Sequence, residues 1–252
     1  MTLAIVSAMR EEWHALRADL SDAQTVRLGG REFHLGQMAG RQVVLVLSGI
    51  GKVAAATTTT LLLCHFHARA VLFTGVAGGL AEGLRVGDVV VAGTLLQHDM
   101  DASPLFPRFE VPLTGRAEFP ADAALADALH AACVRCLQPG APDVPQRALA
   151  ALGIGHAPQV HRGLIVSGDR FVSSAAESAA LRTALPQALA VEMEGAAVAQ
   201  VCADFGRPFA VVRTLSDRAD DSAHVDFNRF IHEVAAVYTR LIVRDWLAAM
   251  PA

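Results

Sequence analysis

Two carboxylates, Glu192 and Glu194, sit two residues apart inside the otherwise apolar run QALAVEMEGAAVAQVC (187–202). An acid in such a setting takes up a proton or acquires partners, because burying an unpaired charge is costly. Two further acids fall where strands are expected to end or helices to begin: Glu12 in AMREEW and Asp217 in RTLSD. Singly, each has an ordinary explanation. Glu12 and Glu194 suit a first helical turn, where the backbone dipole favours negative charge. Asp217 could open a turn. Glu192 is expected to direct its side chain away from Glu194 if the strand geometry persists, and to be paired structurally. Together, Glu12, Glu194 and Asp217 suggest chemistry that uses a base, an acid and a clamp for sugar hydroxyls.

Such acids need a scaffold to bring them together. LAIVSAM is a short apolar run that fits a buried strand, and REEWHALRADL then places Trp13, Leu16 and Leu20 on one helical stripe. REFHLGQMAGRQVVLVLSG reads as a hairpin turning at Ala39–Arg41, and VAAATTTTLLLCHF as a helix. ARAVLFTGVAGG is a strand followed by a glycine turn, and RVGDVVVAGTLLQHDMD is another strand. ADAALADALHAACVRCL is a helix, and the Pro- and Gly-rich stretch after it is expected to be a surface excursion. VHRGLIVSGDRF is a strand and turn, SAAESAALRTAL a helix halted at Pro186, and ALAVEMEGAAVAQVCADFG runs from strand into helix. RPFAVVRTLSD is a strand with a polar exit, and a long helix follows over 226–246, with Asp226 as its cap. Alternating strands and helices imply an α/β layered domain, and the early hairpin makes its sheet mixed. Ligands in such folds bind where strands end, so the crevice candidates are 48–52, 74–79, 167–171, 192–194 and 213–217.

The bulk composition narrows the function. Hydrophobic residues make up 53% of the 252 residues and charged ones 18%, which supports a substantial core and argues against disorder. Net charge is -4, with one tyrosine and two tryptophans, so neither a basic stripe nor a stacking platform for nucleic acid is present. The opening MTLAIVSAMREEW lacks a positive leader region and reads as a strand, and no apolar segment is long enough to span a membrane. Cys133 and Cys136 have C-x-x-C spacing but lie in a helix without a second pair, so all four cysteines are read as reduced thiols.

Several motifs mislead. SGIGKVAA carries Gly-x-Gly-x-x-Ala, yet the next strand ends without the acidic residue of a dinucleotide site. No hydroxyl residue follows Lys52, so it is not a phosphate loop. CHFH places histidines where they diverge on a helix, and DRADDSAHVD lacks the glycine and final glutamate of a calcium loop. A Gly-x-Ser-x-Gly elbow is absent.

AIVSAMREE, SGIGKVAAA, TGVAGGL, VGDVVV, HDMD, RGLIVSGDRFV, AVEMEGAAVAQVC and PFAVVRTLSDRAD occur in this order over most of the chain. In them the chain resembles the nucleoside phosphorylase/hydrolase superfamily, and more closely its bacterial 5'-methylthioadenosine/S-adenosylhomocysteine nucleosidases. The resemblance implies one domain over 1–252, a three-layer α/β fold whose mixed central sheet is flanked by helices. It implies hydrolysis of an N-glycosidic bond that releases adenine and a 5-thio-substituted ribose. The partners implied are a small-molecule nucleoside and water, with no cofactor, no metal, no nucleic acid and no membrane. A cytoplasmic homodimer acting in methionine salvage completes the expectation.

The same resemblance assigns roles. Glu194 receives the ribose 2'- and 3'-hydroxyls, Met193 lies against the sugar, and Val191 and Glu192 support them. Asp217 delivers a proton to purine N7 and Ser216 orients it. Glu12 is the base for the attacking water, and Arg213 orients Glu12 or that water. Phe171 covers the purine face, and the backbone of Val172 reads its N1 and 6-amino edge. Met9, Ile50 and Phe227 form the pocket for a 5'-alkylthio group, while Ala77 and Gly78 let backbone approach the ligand. Val76 stands where relatives often carry serine, and 102–115 departs from the family pattern in a region that covers the 5' substituent across a dimer interface. A phosphorylase using Arg10, Arg31 and Arg213, a nucleosidase for aminofutalosine, and a silent nucleoside-binding protein are the rival readings.

Overall fold

Residues 3–6 are all fully apolar and almost inaccessible, which is what a strand covered on both faces requires. They form β1 (Leu3–Ser7) at the heart of a computed structural model that describes residues 2–141, 143–219 and 227–250. After it come α1 (Arg10–Arg17), β2 (Ser21–Leu28), β3 (Arg31–Met38), β4 (Arg41–Leu47), α2 (Lys52–Cys64), β5 (Ala70–Gly79) and β6 (Val89–Gln97). Then follow β7 (Glu118–Pro120), α3 (Ala123–Leu137), α4 (Gln146–Ala151), β8 (Val160–Ser167), α5 (Ala175–Ala184), β9 (Ala188–Glu192), α6 (Gly195–Asp204) and β10 (Phe209–Asp217). A final helical stretch comprises α7 (Phe227–Phe230), a π-turn over Ile231–Ala235 and α8 (Ala236–Ala249). The expected cap Asp226 lies outside the described residues. Among the described residues, no helix is long and apolar enough to cross a membrane.

All the strands belong to one mixed sheet, flanked by helices as expected. One core cluster packs α1, α3 and α8 on one side, and another packs α2 and α6 on the opposite side. The alternation of elements does not reveal that the sheet closes on itself. β10 pairs with β5 in parallel and with β6 antiparallel, and the path β6–β8–β9–β5 completes a ring. Beyond β5 the sheet runs on through β1, β4, β3 and β2. Closure carries the ends of β5, β8, β9 and β10 inward toward one another.

Local expectations fare unevenly. The β3–β4 hairpin turns at Ala39 and Gly40, both at positive φ, as a two-residue hairpin turn needs. The glycines after Val76 are not a turn: β5 continues through Gly78 and Gly79, which pair with Val191 and Ala190 of β9. The stretch after α3 is not purely a surface excursion, because it contains α4 and buries Val144 and Leu149. β2 has no counterpart among the sequence-based expectations. Its residues are almost all exposed, and it is held by backbone pairing with β3.

Candidate active site

The ends of β5, β9 and β10 and the turns after β1, β4 and β8 enclose a cavity of about 360 Å³. Its wall contains Met9, Ile50, Ala77, Gly78, Phe171, Val172, Val191, Glu192, Met193, Glu194, Ser216, Asp217 and Phe227. Ala8, Val76 and Arg170 join them. Glu12 and Arg213 are not among its lining residues; both are buried. Phe171 and Phe227 meet edge to face, with centroids 6.2 Å apart, and Ile50 is largely exposed.

The two neighbouring glutamates acquire different environments because the strand stops between them. Continued strand geometry would put residues two apart on one face. Instead β9 ends at Glu192 and Glu194 occupies the cap position of α6. Glu192 turns back. Its oxygens accept the N–H groups of Glu194 (3.1 Å) and Gly195 (2.8 Å), the Ser167 hydroxyl and Arg213 Nη2 (2.7 Å). Ser167 Oγ in turn accepts the Ala196 N–H at 2.7 Å. This answers the cost of burying Glu192, since every oxygen is partnered. It also corrects the expectation for Arg213. Its hydrogen bonds go to Glu192 and to backbone carbonyls, with its guanidinium 4.0 Å from the Phe73 ring centroid, and it influences Glu12 only through charge. Gly75 leaves room for it, since a Cβ there would come within 3.1 Å of the guanidinium.

Glu194 faces the cavity and accepts the Gly51 N–H at 2.7 Å. Burial first, then the Glu192 charge, push its carboxyl up to about 7. Asp217 stands opposite on β10, its Oδ1 accepting the Ala219 N–H (2.7 Å) and its Oδ2 the Ser216 hydroxyl (2.8 Å). Gly78, its partner on β5, must be glycine: a Cβ would fall 2.8 Å from Asp217 Oδ1. Glu12 lies in the first turn of α1, fully buried, with Oε1 accepting the Thr239 hydroxyl at 2.7 Å. Thr239 is itself 3.1 Å from Thr74 Oγ1. Burial raises the Glu12 carboxyl to about 7, against the opposing pull of Thr239 and Arg213. Among the described residues, Oε2 of Glu12 has no hydrogen-bond partner.

Ala8 and Arg170 were missed as wall residues. Arg170 lies in the crevice segment 167–171, where the strand-end rule points to it. Ala8 offers no chemical signal beyond adjacency to Met9.

A closed mixed sheet with acids converging at its strand ends defines a class. The chain belongs to the phosphorylase superfamily, whose family model matches residues 2–247. Among solved structures it is similar to the 5'-methylthioadenosine/S-adenosylhomocysteine nucleosidase of Neisseria meningitidis in complex with methylthio-immucillin-A. That likeness is 37% identity over 99% of both chains, with a TM-score of 0.84. The MTA/SAH nucleosidase of Streptococcus pneumoniae in complex with 8-aminoadenine is 33% identical over 99% of this chain and 100% of that one, with a TM-score of 0.85. A futalosine hydrolase of Helicobacter pylori is 31% identical over 99% and 100%, with a TM-score of 0.82.

Proposed function

We propose that the protein hydrolyses the N-glycosidic bond of 5'-methylthioadenosine and S-adenosylhomocysteine, releasing adenine and the 5-thio-substituted ribose. The observation that carries this reading is the pairing of Glu194 and Asp217 on one largely apolar cavity, with Glu12 buried in the first turn of α1, three residues after the lining Met9. Asp217 passes a proton to purine N7, so that the base leaves neutral as the C1'–N9 bond breaks. Glu194 accepts hydrogen bonds from the 2'- and 3'-hydroxyls and stabilises the positive charge that develops on the sugar ring. Glu12 takes a proton from water as its oxygen bonds to C1'. The cluster of Phe171, Phe227, Met9 and Ile50 supplies apolar cover for the base and the 5'-alkylthio group, and the small Ala77 and Gly78 admit the ligand close to the backbone.

Water fits the nucleophile's place better than phosphate. An oxyanion needs several cationic donors. Arg213 is committed to Glu192, and Arg31 to Thr58 and to the carbonyls of Gly29 and Ala54. Incubation of methylthioadenosine with and without phosphate is expected to yield the same free sugar at the same rate. A phosphate requirement with sugar 1-phosphate as product would overturn hydrolysis. The likeness to a futalosine hydrolase favours a second reading, cleavage of the same bond in another 5'-substituted adenosine such as aminofutalosine. Turnover compared across 5'-substituted adenosines separates the two.

Glu194→Gln is expected to lower kcat/KM by about ten- to one hundredfold, because neutral hydrogen bonds replace charge-assisted ones. Removing the 2'-hydroxyl from the substrate should then cost the variant much less than it costs the wild type. Equal penalties in both proteins would remove the clamp role. The single sheet supports reading the chain as one domain. A cytoplasmic homodimer acting in methionine salvage belongs to the same proposal, the dimer supported by the exposed side chains of Ile50, Val53, Leu105 and Leu113.

A further inference from the structure

We propose that Lys52 is a positioning residue, whose ammonium group ties three turns into one wall of the nucleoside cavity and needs the geometry of lysine to do so. The inference rests on the reading of that cavity as a nucleoside site. Of the 21 Lys and Arg residues in the chain, Lys52 is the only lysine. Every other long cation is arginine, so position 52 departs from the chain's uniform usage. Its surroundings explain why. Nζ donates to Asp99 Oδ1 at 2.6 Å and to Gln97 Oε1 at 3.0 Å, and only 16% of the side chain is exposed. A compact ammonium aims three donors from one atom. A guanidinium is longer and spreads its donors over a rigid planar fork, so it does not reproduce this geometry.

The contacts close into a ring. Asp99 Oδ2 accepts the Asp169 N–H at 2.9 Å, and Asp169 Oδ1 accepts the backbone N–H of Lys52 at 2.7 Å. Burial pushes the Asp99 carboxyl up, but the Lys52 ammonium and the Asp169 N–H outweigh it and hold the group below its ordinary range. The ring therefore stays charged. Both its ends lead into the cavity. Next to Lys52, the Gly51 N–H holds Glu194, and Gly51 sits at φ +96 with a Cβ position only 3.1 Å from Asp169 Oδ1. Next to Asp169, Phe171 and Val172 line the wall where the purine would lie. A third branch runs from Gln97 Nε2 to Gln200 of α6, the helix that Glu194 begins. The turn after β4, the end of β6 and the turn after β8 are thus set relative to one another by a ring that the ammonium group closes through Asp99.

The test compares Lys52→Arg, Lys52→Met and Asp169→Ala with the wild type. Binding of a carbon-glycoside analogue of methylthioadenosine, which cannot be hydrolysed, is measured by calorimetry. KM, kcat and thermal unfolding are measured in parallel. Both Lys52 variants are expected to weaken analogue binding by about ten- to one hundredfold. KM should rise in step, with kcat changed by no more than about threefold, since Lys52 touches no reacting atom. Asp169→Ala, at an exposed residue, should weaken binding in the same direction without lowering the unfolding temperature. Wild-type affinity in Lys52→Arg would show that any cation suffices and overturn the inference. Unchanged affinity in Asp169→Ala, or affinity lost only together with thermal stability, would overturn it in favour of a folding role. A wild-type protein that binds the analogue but releases no adenine from methylthioadenosine would instead overturn the hydrolase reading, and the comparison of affinities would still decide Lys52.

Discussion

Asp217→Asn is expected to lower adenine release from methylthioadenosine by about 10²–10⁴-fold, the range a positioned acid contributes. The substitution is nearly isosteric. The amide oxygen can still accept the Ala219 N–H that Oδ1 now accepts at 2.7 Å, and the amide nitrogen can donate to Ser216 Oγ, which now donates to Oδ2 at 2.8 Å. The fold and the thermal unfolding temperature should therefore stay close to those of the wild type, which separates lost chemistry from lost structure. A substrate with a good leaving group sharpens the test. From a p-nitrophenyl riboside the p-nitrophenolate departs as an anion and needs no proton, so the substitution should slow its cleavage far less than that of methylthioadenosine. An equal loss on both substrates would assign Asp217 to binding. Near-wild-type activity on methylthioadenosine would remove it from the reaction.

The site was more legible in the sequence than the fold that assembles it. Asp217, Glu194 and Glu12 could be picked out because carboxylates at the ends of apolar runs demand an explanation, whatever the family. The structural pairing of Glu192 is as expected, but its direction away from Glu194 does not follow from strand spacing. Its separation from Glu194 comes from β9 ending between them, and strand boundaries depend on tertiary pairing rather than on local pattern. The partner of Arg213 was likewise hidden, since Glu192 is 21 residues away and only sheet closure brings the two together. β2 escaped notice because SDAQTVRL shows neither alternation nor an apolar face, and it forms by extending the β3 edge. Lys52 lay within a motif that invited a phosphate-loop reading. Its partners, Asp99 and Asp169, are 47 and 117 residues distant.

Glu12→Gln tests the base, and its effect depends on pH in a way that the geometry predicts. A general base works when deprotonated. With the Glu12 carboxyl held up to about 7 by burial, wild-type kcat/KM should rise as pH climbs through that value and level off above it. Glu194 also titrates near 7, and its clamp is strongest as a carboxylate, so both acids contribute to the same limb. The two variants distinguish them. Glu12→Gln should lose about 10²–10⁴-fold on the plateau with substrate binding nearly intact, whereas Glu194→Gln loses affinity as well. Stability should move the opposite way. A carboxyl whose folded value lies above its ordinary 4.5 favours the folded state while protonated, so its contribution is complete below about 4.5 and lost as pH rises through about 7. For a fully buried group the loss is on the order of 3 kcal/mol. Denaturant unfolding of the wild type between pH 5 and 8 should show this decline, and Glu12→Gln, which cannot ionise, should show a shallower one. Parallel stability profiles in the two proteins would mean that Glu12 is ordinarily charged in its pocket. Full activity in the Glu12→Gln variant would mean that water is activated elsewhere.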